Sequence, residues 1–476
     1  MSEQLSVDIC VIGAGSGGLT VAAGASQLGM KTVLIERGRM GGDCLNYGCV
    51  PSKALLAAAK RVKHARSNAA FGLGGPPPTV DFTAVMDHVA GVIAAIAPFD
   101  SVERFEGLGV RVIAATARFT GPREVAAGDV LIRARRIVIA TGSAPSVPPI
   151  PGLRDVPFLT NETIFDNRVL PEHLIVIGGG PIGMEMAQAH RLLGARVSVL
   201  EAAKAMAKDD PELAELLIER LRADGVAIEE GVHIRRVERT ATGVAVVLEE
   251  QAGERRIEGS HLLVATGRRA TLAGLDLDKA GIAVDERGGL ILDRRLRTSN
   301  RRVYAVGDAA GGPQFTHIAG YHAGIVIRNA LFRLPAKVDY RALPWATYTD
   351  PELAQVGLTE AEALERHKGD LRVLRWPFHE NDRAQTERDT HGLVKVLARR
   401  NGRVLGASIL GSDAGDLIQV WGLAISGGLK LSALAGMVAP YPTRGEASKR
   451  AAGSFFTPKL FSDRTRFLLR LLAKLG

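Results

Sequence analysis

Cys44 and Cys49 are separated by four residues in Gly41-Gly42-Asp43-Cys44-Leu-Asn-Tyr-Gly-Cys49-Val-Pro51-Ser-Lys53. A pair at this spacing can close a short loop as a disulfide and reopen it as a dithiol, which is the chemistry of thiol–disulfide exchange. Pro51 suits the first turn of a helix. Cys49 is therefore expected at a helix start, where the dipole favours the thiolate. Cys44 is expected further out on the preceding loop, as the exchanging thiol. A structural disulfide and half of a zinc site are the competing readings. The first belongs to oxidising compartments. The second lacks a third cysteine at ligand spacing and a nearby histidine, so no resident metal is expected. Cys10, the one other cysteine, lies in an apolar strand and reads as core.

Chemistry of this kind needs an electron source, and the flanking sequence supplies sites for one. Residues 7–12 read as a buried strand, followed by Gly13-Ala-Gly15-Ser-Gly17-Gly18, a helix to about residue 28, and a second strand ending at Glu36. Gly-x-Gly-x-x-Gly in a βαβ turn lets a pyrophosphate sit on the helix N-terminus, and the acid at the second strand's end is placed for a ribose hydroxyl. The same unit recurs as a strand over 174–177, Gly178-Gly-Gly180-Pro-Ile-Gly183, a helix to about residue 193, and a strand ending at Glu201. The interval from first glycine to acid is the same in both, so two dinucleotide sites are expected. Ala140-Thr141-Gly142 and Ala265-Thr266-Gly267 each end a short apolar strand after their unit. Gly307-Asp308 follows another apolar strand.

The chain of 476 residues suits about three domains. We expect an α/β protein with two Rossmann-like domains and a C-terminal α+β domain. The boundaries read as 1–148 and 268–344 for the first dinucleotide domain, 149–267 for an inserted second, and 345–476 for the last. A stiff Pro-rich connector spans 145–151, and strands over 393–397 and 404–410 alternate like antiparallel neighbours. Net charge is +9, with both signs interspersed and only 5% aromatic residues, so no platform for nucleic acid is read. No run of about eighteen apolar residues and no signal-peptide pattern is seen, and the expectation is a cytoplasmic protein.

In combination these motifs resemble the class I pyridine nucleotide–disulfide oxidoreductases, which include dihydrolipoamide dehydrogenase, glutathione reductase and mercuric reductase. The resemblance spans residues from about 5 to about 455. It implies FAD at the first unit (Gly13, Gly15, Gly18, Glu36, with Gly42, Thr141 and Gly142) and a nicotinamide dinucleotide at the second (Gly178, Gly180, Gly183, Glu201, Gly267). It implies that Gly307 and Asp308 hold the FAD ribitol, that Lys53 lies beside the flavin with Glu185 as its ion-pair partner, and that His317 lies near the flavin. Cys49 would contact the isoalloxazine, Cys44 would meet the acceptor, and the last domain would form a homodimer. Glu201 favours NADH over NADPH because an acid repels a 2′-phosphate, although Lys204 and Lys208 nearby soften that preference.

The resemblance breaks at one informative place. Disulfide reductases of the family carry His-Pro before a glutamate in the last domain, with the His as acid and base for the exchanging thiol. Here the stretch is Ala439-Pro-Tyr441-Pro-Thr-Arg-Gly-Glu446. A phenol is a poor base at neutral pH. Tyr441 with Glu446 looks like mercuric reductase, whose soft metal substrate needs less proton shuttling than a disulfide. The C-terminal cysteine pair of those enzymes has no counterpart after Cys49. The expected acceptor is a soft metal ion or another non-disulfide oxidant. A low-molecular-weight disulfide, as in dihydrolipoamide dehydrogenase, and a redox-sensing or complex-bound subunit stay open. Finally, Phe467, Leu468, Leu471, Leu472 and Leu475 share a helical face away from Arg466, Arg470 and Lys474. That tail is expected to pack on the protein, with an anionic membrane surface as the alternative.

Overall fold

The computed structural model describes residues 3–475. They form two compact units. One holds the chain up to Gly178 together with Ala189–Ser198 and His233–Val338, and the other holds Gly179–Gln188, Val199–Val232 and the chain from Asp339 onward.

The first unit is built on a seven-stranded sheet. Glu3–Ile12 lies between Thr32–Glu36 and Val130–Ile139, both parallel to it, and Ile12 pairs with Ile35 on one side and Ile139 on the other. Val110–Ala114 extends one edge in parallel, and Glu124–Ala127 and Ala117–Gly121 extend the other as antiparallel strands. Val303–Ala305 joins Val130–Ile139 in parallel. The central strand is apolar along its last residues because both faces are covered. Ile9 and Val11 pack in one cluster with the helix Ser16–Gln27, and Cys10 and Ile12 pack in another with Phe119 and Ile137. Cys10 is fully buried, as expected, and burial pushes its thiol up to about 12. The same unit contains the parallel pair His173–Ile177 and His261–Val264, and an antiparallel sheet of His233–Arg239, Val244–Glu250 and Gly253–Gly259. The 145–151 connector begins as a strand. Ser143–Pro145 pairs antiparallel with Arg268–Ala270, each following directly on an Ala-Thr-Gly.

The second unit contains a five-stranded antiparallel sheet in the order Pro344–Thr347, Glu352–Gly357, Val404–Gly411, Leu393–Arg399, Leu371–Pro377. Trp421, on the helix Gln419–Ser426, fills its core with Phe378 and Ala451. Lys395 is 2% exposed, and its ammonium lies 2.8 Å from Asp210, 2.9 Å from Glu212 and 2.6 Å from Glu360. A buried cation requires this much compensation. Nearby, the Trp345 indole donates to Asp209 at 2.8 Å, and burial pushes that carboxyl up to about 6.

Two expectations are corrected. Phe82–Ile96 is an α-helix, followed by a 3-10 turn over Ala97–Asp100 and a second helix over Val102–Gly107, and the whole stretch is by length and apolar composition enough to cross a membrane. The sequence reading missed it because Asp87, His88 and Pro98 interrupt the apolar run. Phe82, Met86 and Val89 bury one face of this helix. The tail helix Asp463–Leu472 does not pack on the protein. Each of its large apolar side chains is exposed, from 49% at Leu472 to 68% at Phe467. Ten residues with every apolar group on one arc find no complementary groove among the described residues.

Candidate active site

The dithiol sits where backbone turns force close approach. Gly41 and Gly42 both have positive φ, which glycine adopts without strain. A Cβ at Gly42 would stand 2.6 Å from the Gly15 Cα, and the Gly41 amide donates to the Ala14 carbonyl at 3.0 Å. This clamps the redox segment onto the first glycine turn. Cys49 is the first residue of the helix Cys49–Arg66, as Pro51 predicts. Cys44 departs from expectation. It lies in a short helix, Gly42–Asn46, and is half-buried, whereas Cys49 is exposed. The physical reason is the Gly41–Gly42 turn, which draws Cys44 back toward the glycine loop.

Three helices begin at the dithiol. Cys49 starts one, and Ser16 and Thr316 start Ser16–Gln27 and Thr316–Ala330. The Thr316 hydroxyl is 3.5 Å from the Cys49 sulfur. The Cys44 thiol is held far above the usual thiol range. Its hydrogen bond with Cys49 is the largest cause, followed by burial and the negative charge of the Cys49 sulfur. The Thr316 and Ser16 hydroxyls act in the opposite direction. Cys49 stands at the positive end of its helix, which favours its thiolate.

Four side chains that the sequence reading left without a role tie this segment to Asp308. The Arg268 guanidinium, 11% exposed, lies 3.1 Å from Asp43 and 3.8 Å from Asp308. It also donates to the Ser143 hydroxyl at 2.7 Å and carbonyl at 2.9 Å. Ser143 in turn donates to Asp308 at 2.5 Å, and Asn161 donates to Asp43 at 3.0 Å. Burial pushes the Asp308 carboxyl up, against the pull of Ser143 and Arg268. The signal for two of the four was available, since Ser143 and Arg268 are the residues that directly follow the two Ala-Thr-Gly motifs. His322 was also missed. It is fully buried, burial brings it down to about 4, and its neutral Nδ1 accepts the Gly307 amide at 3.2 Å, fixing the turn that presents Asp308.

The two glycine turns match in detail. A Cβ at Gly13 would be 2.4 Å from the Ala140 carbonyl oxygen, and one at Gly178 would be 2.4 Å from that of Ala265. Gly18 is equally obligatory, since a Cβ there would lie 1.9 Å from the Gly13 carbonyl. Glu36 accepts the Ala14 amide at 2.6 Å and the Gly38 amide at 2.7 Å. Glu201 accepts the Gly179 amide at 2.6 Å and the Ala203 amide at 2.9 Å. Each carboxylate is thus already pinned to backbone through both oxygens and offers its remaining lone pairs to a ribose. Lys204 is engaged by Glu230 at 3.7 Å.

The residues fit the nucleotides. A Cβ at Gly15 would meet only the Gly42 Cα, at 4.0 Å, the helix start there has no side-chain cap, and the hydroxyl of Thr141, whose backbone abuts Gly13, is buried without a protein partner. Gly142, Gly180 and Gly267 likewise face open space, and Gly183 is buried in the first turn of the helix Pro181–Leu193. Lys53 is half-buried in the redox helix. His317 is exposed and stacks on Phe315 with centroids 5.3 Å apart. In the second unit Glu185 is buried and accepts the Tyr348 amide at 2.8 Å. Tyr441 is exposed, and its hydroxyl donates to Asp382 at 2.8 Å. That bond, and then the Asp382 charge, hold the phenol above its usual range. Glu446 pairs with Arg450 at 3.5 Å. No metal cluster of His, Cys, Asp and Glu occurs among the described residues.

Paired dinucleotide turns with a dithiol clamped to the first of them define a flavin-linked dithiol oxidoreductase. Comparison with known proteins agrees. Residues 7–323 match the pyridine nucleotide-disulphide oxidoreductase family, and residues 343–452 match its dimerisation domain. The chain belongs to this family: it is an FAD-containing, pyridine-nucleotide-dependent enzyme of the class I type, and the dimerisation domain makes it a homodimer. It is 39% identical to a mercuric reductase of Streptomyces lividans over 96% of this chain and 97% of that one. It is 34% identical to a dihydrolipoyl dehydrogenase of Bacillus subtilis over 94% and 96%. Among solved structures it resembles the Cu(II) complex of the HOCl-induced flavoprotein disulfide reductase RclA from Escherichia coli. The TM-score is 0.84 at 29% identity, covering 93% of this chain and 99% of that one.

Proposed function

We propose that this oxidoreductase is an NADH-dependent reductase of a soft metal ion, of the mercuric reductase kind, acting in the cytoplasm. The observation that carries the reading is Tyr441. A dihydrolipoamide or glutathione substrate needs a base where this phenol stands, and Asp382 keeps the phenol protonated. A mercuric ion held by two thiolates needs only exchange onto the Cys44 and Cys49 sulfurs, which suit a soft cation. The balance is NADH + H⁺ + Hg(SR)₂ giving NAD⁺ + Hg⁰ + 2 RSH, so mercury gains two electrons and both thiols leave protonated. The likeness to mercuric reductases along almost the whole chain supports this reading.

When bound, FAD supplies the two-electron relay between nicotinamide and dithiol. Gly13, Gly15, Gly18 and Glu36 would hold its adenosine and pyrophosphate, with Thr141 beside them, and Asp308 would hold the ribitol. Cys49 carries the thiolate on the flavin side, and Cys44 exchanges with the incoming metal thiolate. Lys53, on the redox helix, is assigned as the charge near the flavin ring. Glu201 accepts from the nicotinamide dinucleotide's ribose, and with Lys204 drawn to Glu230 the site favours NADH. The test is NADH oxidation by the FAD-loaded enzyme with mercuric ion in excess thiol, set against lipoamide. A Cys44-dependent mercuric rate with negligible lipoamide turnover is expected. Fast lipoamide reduction would overturn the reading in favour of dihydrolipoamide dehydrogenase, which the Bacillus subtilis relative represents.

A further inference from the structure

The match to the dimerisation domain ends at residue 452, and the chain continues into a surface of different character. Asp463–Leu472 is a helix whose N-terminus is capped by Ser462, with the hydroxyl accepting the Thr465 amide at 3.3 Å. At 3.6 residues per turn, Phe467, Leu468, Leu469, Leu471 and Leu472 sweep an arc of about 200°. Arg466 and Arg470 occupy the remainder, and Arg464 sits at the N-terminal end of the apolar arc. Lys474 and Leu475 follow in a closing turn. The approach to this helix has the same character, with Leu460 and Phe461 also more than half exposed.

An arc this wide exceeds the stripe of roughly 100° with which a helix packs onto a globular core. The charge around it is one-sided. Lys459, Arg464, Arg466, Arg470 and Lys474 stand against Asp463 as the lone acid from residue 457 to 475. A second copy of the helix is a poor occupant, because ten residues give a footprint of about 15 by 10 Å, against the ~800 Å² per partner of a stable interface. A bilayer has no such limit. It accepts a wide apolar arc at the acyl boundary and meets flanking cations with anionic headgroups.

We propose that residues 459–475 form a membrane-surface segment that seats the reductase on an anionic leaflet. Phe467, Leu468, Leu471 and Leu472 enter the acyl boundary, and Arg466, Arg470 and Lys474 lie at the headgroups. The experiment is co-sedimentation of the full-length, FAD-loaded enzyme with vesicles of phosphatidylcholine alone or with about 30 mol% phosphatidylglycerol, at about 0.1 M salt. Partitioning onto the anionic vesicles at least ~10-fold above the neutral ones is expected. L468E/L472E should lose at least ~10-fold of it, and R466Q/R470Q should lose binding to anionic vesicles and its salt dependence. Flavin content and NADH oxidation should stay at the wild-type level in both variants, which separates this proposal from the nature of the acceptor. Equal partitioning onto both vesicle types, or unchanged binding by L468E/L472E, would overturn the proposal. So would a drop in solution mass of L468E/L472E by light scattering without vesicles, since that would give the face to a second copy.

Discussion

Replacing Arg268 by methionine tests whether the redox segment and Asp308 are held by one cation. The guanidinium is almost buried and makes charge-assisted contacts at 3.1 Å with Asp43 and 3.8 Å with Asp308, besides two hydrogen bonds to Ser143. Removing one partner of a buried pair costs about 3–5 kcal/mol. The Asp43 side chain is 38% exposed, so water recovers part of that, and we expect about 3 kcal/mol at pH 7. For a chain of this size that lowers the melting midpoint by roughly 3 °C. The pH dependence carries the sign. Burial already holds the Asp308 carboxyl above its ordinary range, and loss of Arg268 raises it further. An acid raised in the folded state destabilises that state as pH climbs through the interval between its unfolded and folded values. The deficit of R268M should therefore be largest at pH 7–8 and shrink at lower pH as Asp308 takes a proton. Thermal denaturation of the FAD-loaded enzyme across this pH range, followed by flavin release, is the assay. A deficit that does not change with pH, or one below about 1 kcal/mol, would refute the reasoning, and D43N added to R268M should recover part of the loss.

Four further outcomes are expected. C44S and C49S should each lower metal-ion turnover at least ~100-fold while NADH still reduces the bound flavin, read by stopped-flow absorbance. E201A should cost ~10-fold or more in kcat/KM for NADH and narrow the preference over NADPH, since it removes the carboxylate proposed to accept from the ribose, which backbone amides hold in place. Y441H should raise lipoamide turnover at least ~10-fold by supplying the missing base, and an unchanged rate would show that Tyr441 does not stand at the proton-transfer position. Burial holds Asp209 near 6, so its ionised form destabilises the fold as pH rises from about 4 to 6. D209N should match the wild type at pH 4 and exceed it by about 3 kcal/mol at pH 8 in urea unfolding.

The dinucleotide turns were legible because steric necessity leaves few residues that work. Gly13 and Gly178 abut carbonyl oxygens, and nothing larger fits. Glu36 and Glu201 could be placed for the same local reason, since turn, helix and strand lengths fix where each acid falls. The Arg268 cluster was legible only in part, at Asp308 and in the residues after the two Ala-Thr-Gly motifs, because Asp43, Ser143, Arg268 and Asp308 are far apart in sequence and meet only through the fold. Lys395 likewise reads as an ordinary charge on an alternating strand until the acids around it are seen. The position of Cys44 depends on the left-handed turn at Gly41 and Gly42, which the sequence permits without requiring. The tail's periodicity was plain, but whether anything covered it was a question of surface that periodicity cannot answer.

The three helices that start at the dithiol also bear on electron affinity. Each helix end contributes about 0.3–1 kcal/mol toward a nearby negative charge. The end of Ser16–Gln27 would be taken by the FAD pyrophosphate, so the ends at Cys49 and Thr316 favour the reduced, thiolate-bearing state by roughly 0.6–2 kcal/mol, which for a two-electron couple raises the midpoint potential by roughly 10–40 mV. The pair is thereby tuned to accept electrons readily and to part with them only to an acceptor of higher potential still. Such a bias suits a cation that is reduced outright to the element more than a disulfide of nearly matched potential.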